Sequence, residues 1–238
     1  MMKIDANNKV FSEINEEIRK YEDIHLVNCL GQRFIASGMS GKKLLIDGVP
    51  GNALGAYNNG SEITVNGNAQ DAVGDTMNSG TIIIHGNIGD AAGYAMRGGE
   101  IYIKGNAGYR AGIHMKEYKE QKPVIVIGGK AGCFLGEYQA GGLIIVLGID
   151  HEDAQLGDFP CTGMHGGKIV IRGKTDHIVF PAQTKAAAST DSDIEEIRPF
   201  VKKYCHYFGY DEKWIMDSEF TTVTPDSSNP YKQLYVAN

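Results

Sequence analysis

Residues 82–112 read IIIHGNIGDAAGYAMRGGEIYIKGNAGYRAG, in which one pattern occurs twice at a distance of 19 residues. Each copy begins with two isoleucines two positions apart, Ile82 and Ile84 and then Ile101 and Ile103, and continues into Gly-Asn. Side chains alternate between the two faces of a β-strand, so each pair of isoleucines shares one face. The segment therefore predicts two short strands that follow one another at a fixed spacing.

The same spacing extends over more than half of the chain. An aliphatic residue stands shortly before a glycine turn seven times, at steps of 19, 19, 19, 24, 19 and 25 residues, and another precedes it by two positions. The two series are Ile46, Val65, Ile84, Ile103, Ile127, Val146 and Ile171, and Leu44, Ile63, Ile82, Ile101, Ile125, Ile144 and Ile169. A strand that repeats at a distance in the tens of residues is typical of a solenoid. We therefore predict an all-β fold, a parallel β-helix of about seven coils with a 19-residue repeat.

Glycines in the pattern G-x-x-G-x-x-x-G follow most of the strands. Their recurrence favours turn geometry over a phosphate-binding loop, which would need a strand-to-helix context and a following lysine. The glycines assigned to turns are Gly48, Gly51, Gly55, Gly67, Gly74, Gly86, Gly89, Gly93, Gly105, Gly108, Gly112, Gly129, Gly132 and Gly136. We expect Gly-Asn at 67–68, 86–87 and 105–106 to supply left-handed residues. The pattern is altered at Gln70 and lapses after Gly148.

Three methionines also recur at the coil spacing, at Met77, Met96 and Met115. Thioether side chains fill irregular gaps well, so this file predicts interior packing rather than a metal site.

The segments that flank the repeat are helical in pattern. Val10, Ile14, Ile18 and Tyr21 predict one amphipathic helix, with a strand to follow around Ile24 to Cys29. After the repeat, Ser192 is expected to open a helix with Glu195 as its reciprocal cap, and Pro199 to break or kink that helix. We expect these helical segments to cap the β-helix. A short helix is expected near Lys213 to Asp217, and the tail Pro225 to Asn238 is expected to lie extended over a surface. We divide the chain into residues 1–30 (capping helix and strand), 31–180 (β-helix) and 181–238 (C-terminal helices and tail).

Composition and charge exclude several function classes. A chain of 238 residues with 42% hydrophobic residues and a net charge of -6 is expected to be soluble and globular. Its 23 Lys and Arg residues form no clustered run, so we expect no nucleic-acid partner and no anionic membrane partner. The strands are too short to span a bilayer and residues 1–10 do not resemble a signal peptide, so a cytoplasmic location is expected.

No residue pattern indicates a catalytic, cofactor-binding or metal site. The four cysteines, Cys29, Cys133, Cys161 and Cys205, have no C-x-x-C or iron–sulfur spacing. His85, His114 and His165 have no second ligand at a recognisable metal spacing, so surface histidines are the expectation.

Five residues are candidates for a partner-binding surface. Asp71 and Asp90 are in register beside the glycines, and His114 and His165 fall at turns. Arg110 occupies a position that is alanine in the three preceding coils. This arginine is either a turn residue displaced outward by the insertion at 116–123 or a contact for a partner or anion, and both alternatives remain open.

The glycine-rich coils resemble the C-terminal (GXGXG) domain of the large subunit of glutamate synthase in its stand-alone form. The segments that carry the resemblance are residues 51–57 (GNALGAY), 67–74 (GNAQDAVG), 141–148 (GGLIIVLG) and 163–167 (GMHGG). The β-helix subunit of formylmethanofuran dehydrogenase is related to the same domain. The resemblance implies a right-handed parallel β-helix with an architectural role.

In that family the domain packs against a glutamine amidotransferase and an FMN-binding synthase, which transfer glutamine-derived ammonia to 2-oxoglutarate and reduce the product. The resemblance therefore implies these two partner chains, with FMN and the iron–sulfur cluster in the partners and none in this chain. The amidotransferase requires an N-terminal cysteine nucleophile, whereas this sequence starts Met1-Met2-Lys3.

Three functions follow from these observations. The favoured one is a non-catalytic scaffold of a multi-chain glutamate synthase, and the second is the corresponding scaffold of a formylmethanofuran dehydrogenase. The third is a self-sufficient β-helix enzyme, although the 19-residue step differs from the hexapeptide multiple of acyltransferases. A homo-oligomer of this chain is also left open.

Overall fold

The computed structural model describes residues 1–226, so most of the tail predicted from Pro225 to Asn238 lies outside the described residues. The elements, in chain order, are β1 (Met2–Asp5), α1 (Phe11–Arg19), β2 (Asp23–Leu30), β3 (Lys43–Val49), β4 (Asn59–Asn66), β5 (Ser79–Ile84), β6 (Glu100–Ile103), β7 (Val124–Ile127), β8 (Ala140–Val146), β9 (Gly166–Arg172), β10 (Thr184–Ala188), α2 (Asp191–Phe208), α3 (Glu212–Met216) and β11 (Phe220–Pro225). None of these helices is long and apolar enough to cross a bilayer.

Consecutive strands stack in parallel from β1 to β9. Ile82 pairs with Ile63 on one side and with Ile101 on the other, so the 19-residue step is the register of the sheet. The seven predicted strands are β3–β9, and β2 adds a further turn because Ile24 pairs with Leu44. The predicted parallel β-helix is confirmed. At the far end β11 pairs antiparallel with β9, and β10 pairs antiparallel with β11.

The interior of the rod is built from files of like residues. Both predicted aliphatic series are buried along their whole length. Met77, Met96 and Met115 are fully buried as expected, and backbone hydrogen bonds between coils extend their file to Met39, Asn58, Gln139 and Met164. Both polar atoms of the buried Asn58 side chain are hydrogen-bonded, since Nδ2 donates to Ser61 O at 2.9 Å and Oδ1 accepts from Ser61 N at 3.0 Å.

The left-handed turn residues lie elsewhere than the Gly-Asn pairs. Neither Gly86 nor Gly105 has positive φ, and nor do the asparagines that follow the three glycines, so that prediction was wrong. The corner instead uses three alternate left-handed residues in each coil, for example Ala91, Gly93 and Ala95. Alanine gives no sequence signal for a left-handed turn, whereas Gly-Asn does.

Close packing explains the middle glycines of the pattern. Gly51 does not have positive φ, but a Cβ there would lie 2.3 Å from the carbonyl oxygen of Gly31 in the neighbouring coil. Gly89 is in the same situation, because a Cβ would meet Asp71 Oδ1 at 2.1 Å. The glycine repeat therefore has two causes, positive φ at its last position and close approach between coils at its middle one.

The C-terminal helical segment covers a side of the rod. The outward faces of β6–β9 carry Tyr102, Val126, Ile145 and Val170, which form a second buried cluster with α2 and α3. Tyr204 of α2 contributes to this cluster and donates a hydrogen bond to Lys104 O at 3.1 Å. Since α2 lies against the outer face of several coils, its role extends beyond covering the last one.

The predicted N-terminal helix is confirmed as α1, which buries Ile14 and Ile18.

Two predicted details of α2 were wrong. The helix is capped by Thr190 and Asp193, which bond to each other's backbone N–H, rather than by Ser192 and Glu195. Pro199 lies inside one continuous helix of 18 residues. A proline in a helix interior costs about 3 kcal/mol, and the burial of Ile197 and Val201 on either side of it provides the compensating contacts.

Candidate partner-binding surface

Two rows of residues form the corner at which the candidate surface lies. The first row contains three aspartates and consists of Asn52, Asp71, Asp90, Tyr109, Cys133 and Asp158. The second, which we call the left-handed row, lies one position later in the sequence and consists of Phe34, Ala53, Ala72, Ala91, Arg110, Phe134 and Phe159. Backbone bonds such as Ala72 N to Asp90 O at 2.8 Å join successive coils along the corner. Every member of the left-handed row has φ between +55° and +63°.

The structure places Asp71 and Asp90 in contact with the backbone of the next coil. Oδ1 of Asp71 accepts from Asp90 N at 3.0 Å, and Oδ1 of Asp90 accepts from Tyr109 N at 2.8 Å. Asn68 and Asn87 do the same in a parallel row, with bonds to Asn87 N at 2.7 Å and Asn106 N at 2.8 Å. One oxygen of each carboxylate is therefore used to hold adjacent coils, and a role for these aspartates on a partner surface stays a prediction.

Arg110 is the left-handed corner residue of its coil, with φ of +58°. Its Nε donates to Glu137 Oε2 at 2.8 Å, and its guanidinium carbon lies 4.9 Å from the centre of the Phe134 ring. The arginine side chain remains 46% exposed. Its partner Glu137 is largely buried, with 12% of the side chain exposed, so Arg110 is a turn residue that is paired on one side while its guanidinium still faces solvent.

His114 lies between two tyrosines that the sequence did not single out. Its ring stacks on Tyr138, with the ring centres 5.2 Å apart, and meets the edge of Tyr94 at 5.9 Å. The backbone N–H of His114 donates to the carbonyl of Glu137 at 2.9 Å. Glu137 therefore joins Arg110 and His114 into one cluster. His165 makes a local contact, from Nδ1 to Gly163 O at 3.0 Å.

The aromatic end of the left-handed row was missed by sequence reasoning. Phe134 and Phe159 stack with their ring centres 5.3 Å apart, and Phe159 is 64% exposed. The available signal was a phenylalanine where earlier coils have alanine. The 24- and 25-residue steps obscured it, because these coils do not align at the regular spacing.

The irregular coil after Gly148 is held by a buried arginine. Nη1 of Arg172 donates to Leu147 O at 3.2 Å, Gly148 O at 3.3 Å and His151 O at 3.1 Å. Its Nε donates to Ser218 Oγ at 2.8 Å, and the guanidinium lies over the ring of Trp214 at 4.7 Å. The guanidinium thus ties together three carbonyls of this coil, in addition to the backbone bond from His151 N to Gly148 O at 2.9 Å.

Charged residues attach α2 to the rod. Lys168 of β9 bonds to Asp193 and to Glu196, and Lys122 also bonds to Glu196. Burial by itself raises the pKa of Asp193, but hydrogen bonds from Lys168 and Thr190 outweigh it and lower that pKa to about 2. Asp193 is therefore ionised in the folded protein across the neutral range.

The cysteines are in surroundings that disfavour the thiolate. Burial raises the pKa of Cys29 to about 11, of Cys161 to about 12 and of Cys205 to about 11. A thiolate is the form that binds iron or zinc. Among residues 1–226, no three His, Cys, Asp or Glu side chains are grouped so that they could hold a metal ion.

Comparison with known proteins gives three findings. The sequence model of a family described as the GXGXG motif matches residues 7–226. A protein of Methanocaldococcus jannaschii, described as uncharacterized, is 44% identical over 248 aligned residues, covering 98% of this chain and 95% of the relative. A chain of the formyltransferase/hydrolase complex of Methylorubrum extorquens, solved with methylofuran, has a TM-score of 0.67 and 20% identity, covering 92% of this chain and 89% of that chain. At this identity the structural likeness concerns the fold alone.

Proposed function

Because this chain belongs to the GXGXG family, we propose that it is a scaffold subunit, which holds other chains of a multi-chain enzyme in place and supplies no catalytic group. One observation carries the proposal. The polar rows of the rod bond to the rod's own backbone, as Asp71 and Asp90 do, while large aromatic side chains occupy exposed corners. A rigid rod with exposed rings is suited to binding other proteins, because aromatic residues are enriched at the centres of interfaces.

The favoured enzyme is a glutamate synthase. In this proposal a glutamine amidotransferase chain and an FMN-binding synthase chain dock on the rod, and FMN and the iron–sulfur cluster reside in those partners. A cytoplasmic location is part of the same proposal.

Co-expression tests this function directly. The chain would be produced with the amidotransferase and FMN-binding synthase chains encoded in the same genome, and the assembly would be analysed by native mass spectrometry. We expect a stable complex of all three chains, and ammonia transfer from glutamine to 2-oxoglutarate that weakens when the rod is omitted. A chain that stays separate from both partners, with activity unchanged by its omission, would contradict the proposal.

A second candidate is the scaffold of a formylmethanofuran dehydrogenase. The observation that favours it is the similarity in fold to a chain of the Methylorubrum extorquens formyltransferase/hydrolase complex. The cofactor of the native complex separates the two candidates. A flavin absorbance spectrum supports glutamate synthase, whereas tungsten or molybdenum measured by plasma mass spectrometry supports the alternative.

A further inference from the structure

The left-handed row carries aromatic rings at its two ends, with three alanines and Arg110 between them. Phe34 stands at one end and Phe134 and Phe159 at the other, with φ of +56°, +61° and +58°. A residue with a Cβ costs about 1–2 kcal/mol in this conformation, and Ala72 shows that the corner forms without a ring. Strained residues are concentrated at functional sites. The rings at these positions therefore call for an explanation other than the turn.

At the N-terminal end the chain itself provides that explanation. The ring of Phe34 contacts Phe11 of α1, with ring centres 5.7 Å apart. Asn15 of α1 donates to Phe34 O at 2.8 Å and accepts from Ala36 N at 2.8 Å. An aromatic corner in this fold thus holds a segment that crosses the end of the rod and presents a phenylalanine.

At the C-terminal end residues 177–179 lie beside a similar corner, but among the aromatic rings of residues 1–226 only that of Phe134 is paired with Phe159. Beside Phe159 lies a cleft of about 430 Å³, whose apolar lining is Leu156, Phe159, Pro160, Ile178 and Val179. Val179 is 86% exposed, while Leu156 and Ile178 pack against the main core. The cleft therefore has a fixed apolar floor and an exposed apolar rim, the features of a docking pocket for a side chain.

The charge at the cleft indicates what kind of segment it takes. Asp158 lines the cleft, is exposed, and no residue in the range 1–226 donates a hydrogen bond to its carboxylate. Within the described part of the chain, Asp158 is the one carboxylate in the lining of this cleft, which His177 also lines. A lysine or arginine next to an apolar side chain would complement this arrangement, since opposite charges at an interface rim favour association.

We propose that the cleft beside Phe159 is the docking site for a segment of another chain that presents an aromatic side chain next to a lysine or arginine. The proposal rests on the proposed scaffold function, because it names the surface through which one partner subunit is held. The aromatic side chain would enter the cleft over Leu156 and Ile178, and the basic group would face Asp158.

Synthetic peptides test the chemistry of the site. The probe is a short peptide with one phenylalanine flanked by lysines, and its matched control has glutamates in place of the lysines. Binding is followed by NMR shifts of the amides of Asp158, Phe159 and Val179. We expect saturable shifts with the lysine peptide and at least about fivefold weaker binding of the glutamate peptide, a difference that shrinks at high salt. Equal binding of the two peptides, or no shift at millimolar peptide, would overturn the proposal.

A pair of glycine variants separates binding from folding. Phe159→Gly removes the ring and its stack on Phe134 but relieves the positive φ, so we expect a melting temperature close to that of the wild type together with at least about fivefold weaker peptide binding. Ala72→Gly makes the same backbone change at an alanine of the row and should bind as the wild type does. Unchanged binding by Phe159→Gly overturns the proposal. Wild-type self-association that Phe159→Gly abolishes also overturns it, because the occupant is then a second copy.

The co-expressed complex distinguishes this proposal from the function on which it rests. If the wild-type chain joins no multi-chain complex, the scaffold function fails, whatever the peptides do. If the complex forms and Phe159→Gly enters it with unchanged affinity, only the docking site fails. We expect Phe159→Gly and Asp158→Lys each to weaken binding of the same partner chain, and Ala72→Gly to leave it unaffected.

Discussion

Oδ1 of Asp90 accepts a hydrogen bond from the backbone N–H of Tyr109 at 2.8 Å, and this bond ties one coil to the next through a side chain. Asp71 makes the equivalent bond one coil earlier. The row at this corner begins with Asn52, whose amide oxygen lies 3.4 Å from Asp71 N. Because asparagine and aspartate both occur in the row, its requirement is an acceptor oxygen of the right reach rather than a negative charge.

This relationship predicts different effects for two changes at one residue. Asp90→Ala removes the acceptor and should lower the free energy of unfolding by about 0.5–1.5 kcal/mol. Asp90→Asn keeps an acceptor oxygen and should be close to neutral. Urea unfolding followed by circular dichroism measures both. An asparagine variant as unstable as the alanine variant would show that the charge, not the hydrogen bond, is what matters.

The two causes of the glycine repeat can be separated by two alanine substitutions. Gly38 has φ of +66°, and the space that a Cβ would occupy is open, so Gly38→Ala should cost about 1–2 kcal/mol from conformation alone. Gly51 does not have positive φ, but its Cβ would lie 2.3 Å from Gly31 O. Gly51→Ala must therefore move the backbone of one coil, and we expect a loss of about 3 kcal/mol or more. Thermal unfolding of the two variants makes the comparison, and a smaller loss for Gly51→Ala than for Gly38→Ala would be incompatible with close approach as the cause.

The strands could be predicted from the sequence because their inward residues, such as Ile82 and Ile101, repeat at the register of the sheet. The second core could not be predicted in the same way. Tyr102 and Val126 stand at outward positions, and only their contact with α2, roughly 70–100 residues later in the chain, buries them. The left-handed corners were missed because alanine lacks a turn preference and because the coil length changes before Phe134. Local periodicity thus specifies the rod, whereas the packing on its sides depends on contacts between residues far apart in sequence.

The Asp193 carboxylate predicts a loss of stability in acid. Its pKa in the folded protein is lowered to about 2 from an ordinary 3.8, so it stabilises the fold above pH 4 and loses this effect as the pH falls from 4 towards 2. Burial by itself raises the pKa of Glu196, but hydrogen bonds from Lys122 and Lys168 outweigh it and lower that pKa, which acts in the same direction. The shift at Asp193 corresponds to roughly 2 kcal/mol. The free energy of unfolding, measured between pH 2 and 7, should decrease as the pH falls from 4 towards 2.

Asp193→Asn tests whether the Asp193 carboxylate causes the loss of stability in acid. The variant should be less stable at pH 7 and should have a shallower slope between pH 4 and 2. Asp191→Asn is the matched control, because Asp191 lies in the same first turn of α2 but is exposed. The assignment is wrong if the two variants show the same pH dependence.

Arg172 also predicts a large loss of stability. Replacing it with methionine keeps much of its volume but removes the donor to Leu147 O, Gly148 O and His151 O. Gly148 O keeps its bond from the backbone N–H of His151, whereas Leu147 O and His151 O lose the guanidinium donor. A carbonyl left without a partner in a buried site costs about 1–3 kcal/mol, so we expect Arg172→Met to lose about 2–3 kcal/mol. Arg172→Lys retains a single cationic donor group, so its free energy of unfolding should lie between those of the wild type and Arg172→Met. Hydrogen exchange should locate the effect, with faster exchange at the amides of Ile149 and His151, which bond to Gly128 O and Gly148 O. If hydrogen exchange becomes faster by the same factor along the whole rod, including at these two amides, the guanidinium does not hold this coil specifically.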